Sequence, residues 1–114
     1  MALGTPGNDA IWQRLTQVIV NVVDHGMDIQ SAISAPPMIY GGFQEHGTEI
    51  PPEFEVENRI DPEVVEALRA RGYRIEIVPQ DGGRVNGIVR DPRTGFLYGG
   101  ADPKYRIKVR VFTE

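Results

Sequence analysis

The first half of the chain carries a helical pattern of apolar residues. Over residues 9–25 the apolar positions recur at spacings of four, three, one and three residues, at Ile11, Leu15, Val18, Ile19 and Val22. This period places them on one side of an α-helix, and polar residues such as Gln13 and Arg14 fall largely outside the stripe. Gly26 suits the left-handed residue just past a helix end. The pattern predicts a helix of about four turns.

Two further helices are predicted from their end signals. Asp28 can cap a short helix over Ile29–Ser34, which the prolines at 36 and 37 would end. At residues 61–63 a capping aspartate, a proline and a glutamate stand in the order that a helix N-terminus favours. Gly72 then marks the end of this third helix.

Alternating apolar and polar positions predict about five strands, at residues 54–57, 74–78, 85–89, 96–98 and 105–111. The turn signal at 91–95 joins the third and fourth strands into an antiparallel hairpin. Residues 38–52 have no period and contain three glycines and two prolines, so we expect an irregular excursion there. Three helices and about five mostly antiparallel strands in mixed order predict an α+β fold.

Composition limits the classes of function. With 114 residues and 40% hydrophobic content, residues 1–114 fit a single domain. Sixteen acidic against twelve basic residues argue against nucleic acid or an anionic membrane as partner, and no apolar run is long enough for a membrane span. Cysteine is absent, which excludes disulfides and thiol chemistry. The N-terminus lacks the features of a signal peptide, so the chain as it stands is expected in the cytoplasm.

The loop before the first helix is the main candidate site. Gly4-Thr5-Pro6-Gly7-Asn8-Asp9 combines two glycines and a proline at a helix start, where free backbone N–H groups point outward. The loop could cap the helix, hold a phosphate, or bind the oxyanion of acyl transfer. Asp9 and the lack of a Lys-Ser/Thr pair disfavour phosphate. The residues of the loop do not decide between a cap and an oxyanion site.

Other polar residues have ordinary explanations. His25 and His46 lack metal-ligand spacing, and Ser31 and Ser34 have no evident base, so we expect no metal site, no cofactor and no serine nucleophile. Two acidic pairs are expected to be solvated strand and loop charges: Glu53 with Glu55, and Glu57 with Asp61. The basic face of residues 105–112 is expected to protect an edge strand.

Taken together, five motifs resemble the gamma-glutamyltransferase family, a group of self-cleaving N-terminal nucleophile hydrolases. Gly4-Thr5-Pro6-Gly7 is similar to its G-[ST]-P-G-G signature. The other four motifs follow in the same order and at similar intervals, at residues 17–27, 32–36, 68–73 and 97–103. The match covers residues 4–103 and corresponds to the C-terminal part of the family's small subunit.

The resemblance implies a fold and a reaction. The fold is part of a four-layer αββα sandwich, so the chain would be a fragment of a larger catalytic domain. In the reaction an N-terminal threonine attacks a gamma-glutamyl amide, and the acyl group passes to water or an amine. Gly7 and Asn8 would supply the oxyanion-hole N–H groups. Asn8 replaces the second glycine of the signature, and Pro37 and Lys104 stand where the family has arginines.

The nucleophile lies upstream of this stretch in the family, so we expect the isolated chain to be inactive. Its partner is then the missing remainder of the enzyme, or a second copy through self-association. The alternative is a stand-alone noncatalytic binding module that retains the fold.

Overall fold

A computed structural model of the chain describes residues 1–7, 10–40, 53–80 and 83–104. These residues form three helices: α1 (Ala10–Val23), α2 (Ile29–Ser34) and α3 (Pro62–Ala70). They also form six strands: β1 (Ala2–Gly4), β2 (Met38–Tyr40), β3 (Glu53–Glu57), β4 (Arg74–Val78), β5 (Asn86–Arg90) and β6 (Leu97–Ala101). The predicted α+β class is confirmed. Within the described ranges, no helix is both long and apolar enough to cross a membrane.

The chain divides into two compact units. The first unit is Met1–Ala35 with Gly83–Glu114, and the second is Pro36–Gly82. The sheet of the first unit has the order β1-β5-β6, with both pairs antiparallel. Its buried core combines residues of α1 and α2 with the residue just before β5, namely Val18, Ile29, Ala32, Ile33 and Val85.

Helix α2 lies directly on the first sheet because two glycines face it. Gly87 and Gly100 are cross-strand partners in β5 and β6. A β-carbon on Gly100 would lie 3.1 Å from Ile33 Cδ1 and 3.2 Å from the backbone of Gln30. The Gln30 side chain also donates to the carbonyl of Ala101 (2.8 Å) and accepts from its amide (3.0 Å). This side-chain amide therefore pairs with the backbone of β6 as a neighbouring strand would.

The ends of α2 follow the local signals. The Asp28 carboxylate accepts from the backbone N–H of Ser31 at 2.9 Å, which satisfies one of the free donors at the helix start. Gly26 has φ +65°, the left-handed conformation predicted for it after α1.

The second unit contains a βαβ arrangement. Its sheet has the order β2-β3-β4, and β3 runs parallel to β4 with α3 between them in sequence. Val56, Val65 and Ile75 form its buried core. Asp61 caps α3 by accepting from the N–H of Glu63 at 2.9 Å, and Gly72 follows the helix with φ +92°. Both end signals predicted for this helix are confirmed.

Several expectations are corrected. Residues 38–40 form strand β2 against β3 rather than an irregular excursion, and β1 has no counterpart among the predicted strands. Gln13 and Arg14 are buried, whereas Ile11 and Ile19 of the predicted stripe are partly exposed. Glu57 is buried rather than solvated. The predicted strand at 105–111, the rest of the excursion and residues 8 and 9 of the candidate loop lie outside the described residues.

Candidate functional site

The candidate loop joins the end of β1 to the start of α1. Gly7 has φ +118°, a conformation that residues with a side chain rarely adopt. Glycine at this position is therefore required by the backbone. Asn8 lies outside the described residues, so the paired role of Gly7 and Asn8 as oxyanion donors stays a prediction.

The segment before β5 supports this loop. The backbone N–H of Arg84 donates to Thr5 Oγ1 at 3.3 Å, across 79 positions of sequence. The carbonyl of the next residue, Val85, accepts from the N–H of Asp102 at 2.9 Å. The loop is thus connected through residues 84 and 85 to the end of β6.

Arg14 lies beside both the loop and this supporting segment. Its side chain belongs to the first half of α1, and the residue is only 8% exposed. A β-carbon on Gly7 would lie 3.0 Å from Arg14 Nη1. A β-carbon on Gly83 would lie 2.1 Å from Arg14 Nε and 2.8 Å from Cζ, which is too close for any real contact. The arginine occupies the space that a side chain at position 83 would need.

Sequence reasoning missed Arg14 because it lies outside the apolar stripe. One sequence signal could have found it. Arg14 is four residues after Ala10, so it shares the side of the helix that begins at the loop.

Asp102 and Lys104 form a largely buried ion pair at the other end of this connection. Lys104 Nζ is 3.4 Å from Asp102 Oδ2, with side chains 12% and 4% exposed. The Lys104 backbone N–H also donates to Asp102 Oδ1 at 3.0 Å. Lysine therefore provides a cation next to Asp102 at the position where the family resemblance led us to expect arginine.

The remaining candidates have structural partners. Ser31 Oγ donates to Asp28 at 2.6 Å, and Ser34 Oγ accepts from Gln30 at 2.9 Å. The side-chain and backbone donors of Ser31 hold the pKa of the Asp28 carboxyl below its usual value. His25 is exposed in the turn after α1. These residues belong to the ends of α1 and to α2, and no described contact joins them to the loop.

The acidic candidates of the second unit are also structural. Arg59 Nε donates to Glu57 Oε2 at 2.9 Å, and the Glu57 side chain is 0% exposed. Glu53 and Glu55 lie within strand β3. Residue 46 and residues 105–112 lie outside the described ranges. Within those ranges, no cluster of three or more His, Asp or Glu residues is suited to a metal ion.

The fold is that of N-terminal nucleophile hydrolases, because solved enzymes of this class are similar to the chain. The sequence profile described as Gamma-glutamyltranspeptidase matches residues 1–111. The chain therefore belongs to the gamma-glutamyltranspeptidase family, and the predicted family is confirmed.

The chain is similar to acylases and to glutathione hydrolases. The acylase ACY 1 proenzyme of Pseudomonas sp. (strain V22) is 37% identical over 100 residues, covering 88% of this chain and 16% of that protein. The glutathione hydrolase proenzyme of Escherichia coli (strain K12) is 29% identical over 104 residues. This match covers 91% of this chain and 16% of that protein. The chain thus spans about one sixth of the length of these curated relatives.

A solved structure shows the same fold. The cephalosporin acylase from Bacillus halodurans superposes with a TM-score of 0.84 at 30% sequence identity. The match covers 98% of this chain and 20% of that one. The fold predicted from the family resemblance is confirmed.

Proposed function

We propose that the chain is the segment of a gamma-glutamyl acyl-transfer enzyme that supplies the oxyanion-hole loop. The observation that carries the proposal is the φ of +118° at Gly7, in a loop between β1 and α1 that a distant segment supports. A backbone held in this conformation before substrate arrives needs no reorganisation during the reaction. The N–H groups of Gly7 and Asn8 are the proposed donors.

The proposed reaction places these donors at the step where negative charge appears. The hydroxyl oxygen of an N-terminal threonine, supplied from outside this segment, adds to the carbonyl carbon of the gamma-glutamyl amide, while its proton passes to the threonine's own α-amine and from there to the leaving nitrogen. The carbonyl oxygen becomes an oxyanion, which the two N–H groups bind. The C–N bond then breaks, the amine leaves with a proton, and water or a second amine takes the acyl group from the threonine ester.

The relatives support an amide or peptide-like acyl donor. They are named glutathione hydrolase and acylase, so the proposed reaction of this chain's enzyme is gamma-glutamyl transfer or hydrolysis. The proposed role of the loop uses backbone N–H groups alone. The 114 residues by themselves are expected to be inactive, because the nucleophile is supplied from elsewhere.

The exposed side of α1 supports a partner that completes the enzyme. Trp12, Ile19 and Val23 are spaced by seven and four residues, which places them along one side of the helix. Their exposed fractions are 61%, 42% and 67%. An apolar strip of this kind favours burial against further protein, either the remainder of the enzyme or a second copy.

A chimera tests the function. The chain replaces the matching 104-residue stretch of the E. coli glutathione hydrolase proenzyme, and release of the aniline from a chromogenic gamma-glutamyl anilide is measured. We expect turnover by the chimera and none by the isolated chain above a heat-killed control.

Matched glycine variants test the loop. Gly7→Ala places a β-carbon at positive φ and 3.0 Å from Arg14, whereas Gly4→Ala has open space around its new methyl group. We expect Gly7→Ala to lower kcat of the chimera about 100-fold with KM little changed, since the oxyanion exists only in the transition state. Gly4→Ala should retain normal kcat. A folded chimera without activity, or equal kcat for the two variants, would favour the noncatalytic binding module instead.

A further inference from the structure

We propose that Arg14 is a positioning residue that holds the Gly7 loop and the Gly83 segment at a fixed separation. The catalytic role of Arg14 rests on the proposed function, because Arg14 would act through the backbone of Gly7 rather than on the substrate. The structural part of the proposal stands on the contacts of the described residues.

The contacts on the two sides of Arg14 differ in kind. Against Gly7, the outer nitrogen Nη1 reaches 3.0 Å from the position of a β-carbon. Against Gly83, the inner atoms Cδ and Nε lie 2.3 Å and 2.1 Å from such a position. One side chain therefore occupies the space beside both glycines, its tip next to residue 7 and its middle next to residue 83.

Gly83 is glycine because of space rather than backbone conformation. The described glycines with positive φ are Gly7, Gly26, Gly72 and Gly95, and Gly83 is not among them. An alanine could adopt the backbone of residue 83, but its methyl group would displace Arg14. While Arg14 occupies this space, residue 83 must therefore be glycine.

An arginine is suited to this position. Its guanidinium is planar and rigid, and its donors point in fixed directions, so it keeps a defined shape next to both segments. Residue 84, next to Gly83, donates to Thr5 of the same loop. The loop is thus held at Thr5 by a hydrogen bond and at Gly7 by the arginine.

Displacing Arg14 should change the placement of the Gly7 N–H. A displacement of about 1 Å in a catalytic group can cost about 100-fold in rate. Because the oxyanion exists only in the transition state, the loss should fall on kcat and leave KM unchanged.

The first test uses the 114-residue chain and needs no activity. Arg14→Ala, Arg14→Lys and Gly83→Ala are compared by two-dimensional amide NMR. We expect the amide signals of Gly7 and Arg84 to shift more than those of Gly99 and Ala101 in all three variants. If Arg14→Ala unfolds the chain, Arg14→Lys and Gly83→Ala decide the result. Unshifted Gly7 and Arg84 signals in the folded variants would overturn the proposal.

The second test uses the active chimera and a double-mutant cycle. We expect Arg14→Ala and Gly83→Ala each to lower kcat about 10- to 100-fold at nearly constant KM. The double variant should be no slower than Arg14→Ala, because the new methyl group then meets no arginine. Additive losses, or losses in KM rather than kcat, would contradict the proposal.

Gly100→Ala is the matched control. It crowds α2 in the same unit without touching the loop, so it should lower stability while kcat stays normal. An inactive chimera would contradict the proposed function, whereas the NMR comparison would still decide the role of Arg14.

Discussion

The close approach of α2 to the first sheet predicts a stability loss for Gly100→Ala. The new methyl carbon would lie 3.1 Å from Ile33 Cδ1 and 3.2 Å from both the Cα and the N of Gln30. Carbon atoms prefer a separation of about 3.5–4.0 Å, so the helix must move by a few tenths of an ångström. Two of the three contacts involve helix backbone, which cannot turn away as the end of a side chain can.

The expected change in the free energy of unfolding is the difference between a crowding cost in the folded chain and an entropy gain from restricting the unfolded chain. Crowding a packed interior costs about 1–3 kcal/mol. Replacing glycine by alanine within a strand returns about 0.5–1 kcal/mol, because the unfolded chain loses freedom. Moving α2 also strains the two hydrogen bonds between Gln30 and Ala101. We expect a net destabilisation of about 1 kcal/mol.

Urea unfolding followed by circular dichroism measures this difference. With a slope of about 1–3 kcal/mol per molar urea, the midpoint should fall by about 0.3–1 M. Gly4→Ala is the control, since no atom lies within 4 Å of its added methyl carbon, and its midpoint should be unchanged or slightly raised. If Gly100→Ala unfolds at the same urea concentration as Gly4→Ala, or later, the packing argument is wrong.

Three further substitutions test the second unit and the cap of α2. Val65→Ala should lower the free energy of unfolding by about 2 kcal/mol in urea titration, because Val65 is only 2% exposed. Arg59→Met should cost about 1–3 kcal/mol in the same assay, because the carboxylate of Glu57 stays buried without this cation. Asp28→Ala should lower Tm near neutral pH, where the ionised cap accepts from Ser31.

The cap effect has a defined pH dependence. The hydrogen bonds from Ser31 lower the pKa of Asp28 in the folded chain, so its contribution is full above the unfolded value of 3.8. The contribution is lost as the pH falls through the lowered folded value. The Tm difference between Asp28→Ala and the parent should therefore shrink as the pH falls below 3.8, and a difference that stays unchanged until acid unfolding would refute the assignment.

The predictions for Arg59→Met and Val65→Ala can each be contradicted by a urea titration. Glu57→Gln combined with Arg59→Met should recover part of the stability, since no buried charge remains. A double variant less stable than Arg59→Met would show that the ion pair is not the source of the loss. A Val65→Ala midpoint equal to that of the parent would mean that the methyl groups of Val65 do not support the packing between α3 and its sheet.

The short-range elements of this chain could be predicted because their signals are local. Asp28 and Asp61 lie within three residues of the N–H groups that they cap, and Gly26 and Gly72 have the positive φ values expected after a helix. Such contacts form within one turn of the chain, so neighbouring residues contain the necessary information.

The sequence by itself thus determined the family, the three helices and the main hairpin, whereas the requirement for glycine at residue 7 follows from its φ of +118° in the folded chain. Tertiary structure decided the three-residue strands β1 and β2, which are too short to carry a pattern and exist through pairing with β5 and β3. It also decided the burial of Arg14, because the space that this side chain occupies depends on Gly83, 69 positions away. Contacts over such a separation leave no periodic signal, and only the folded chain brings the loop, the arginine and the second glycine together.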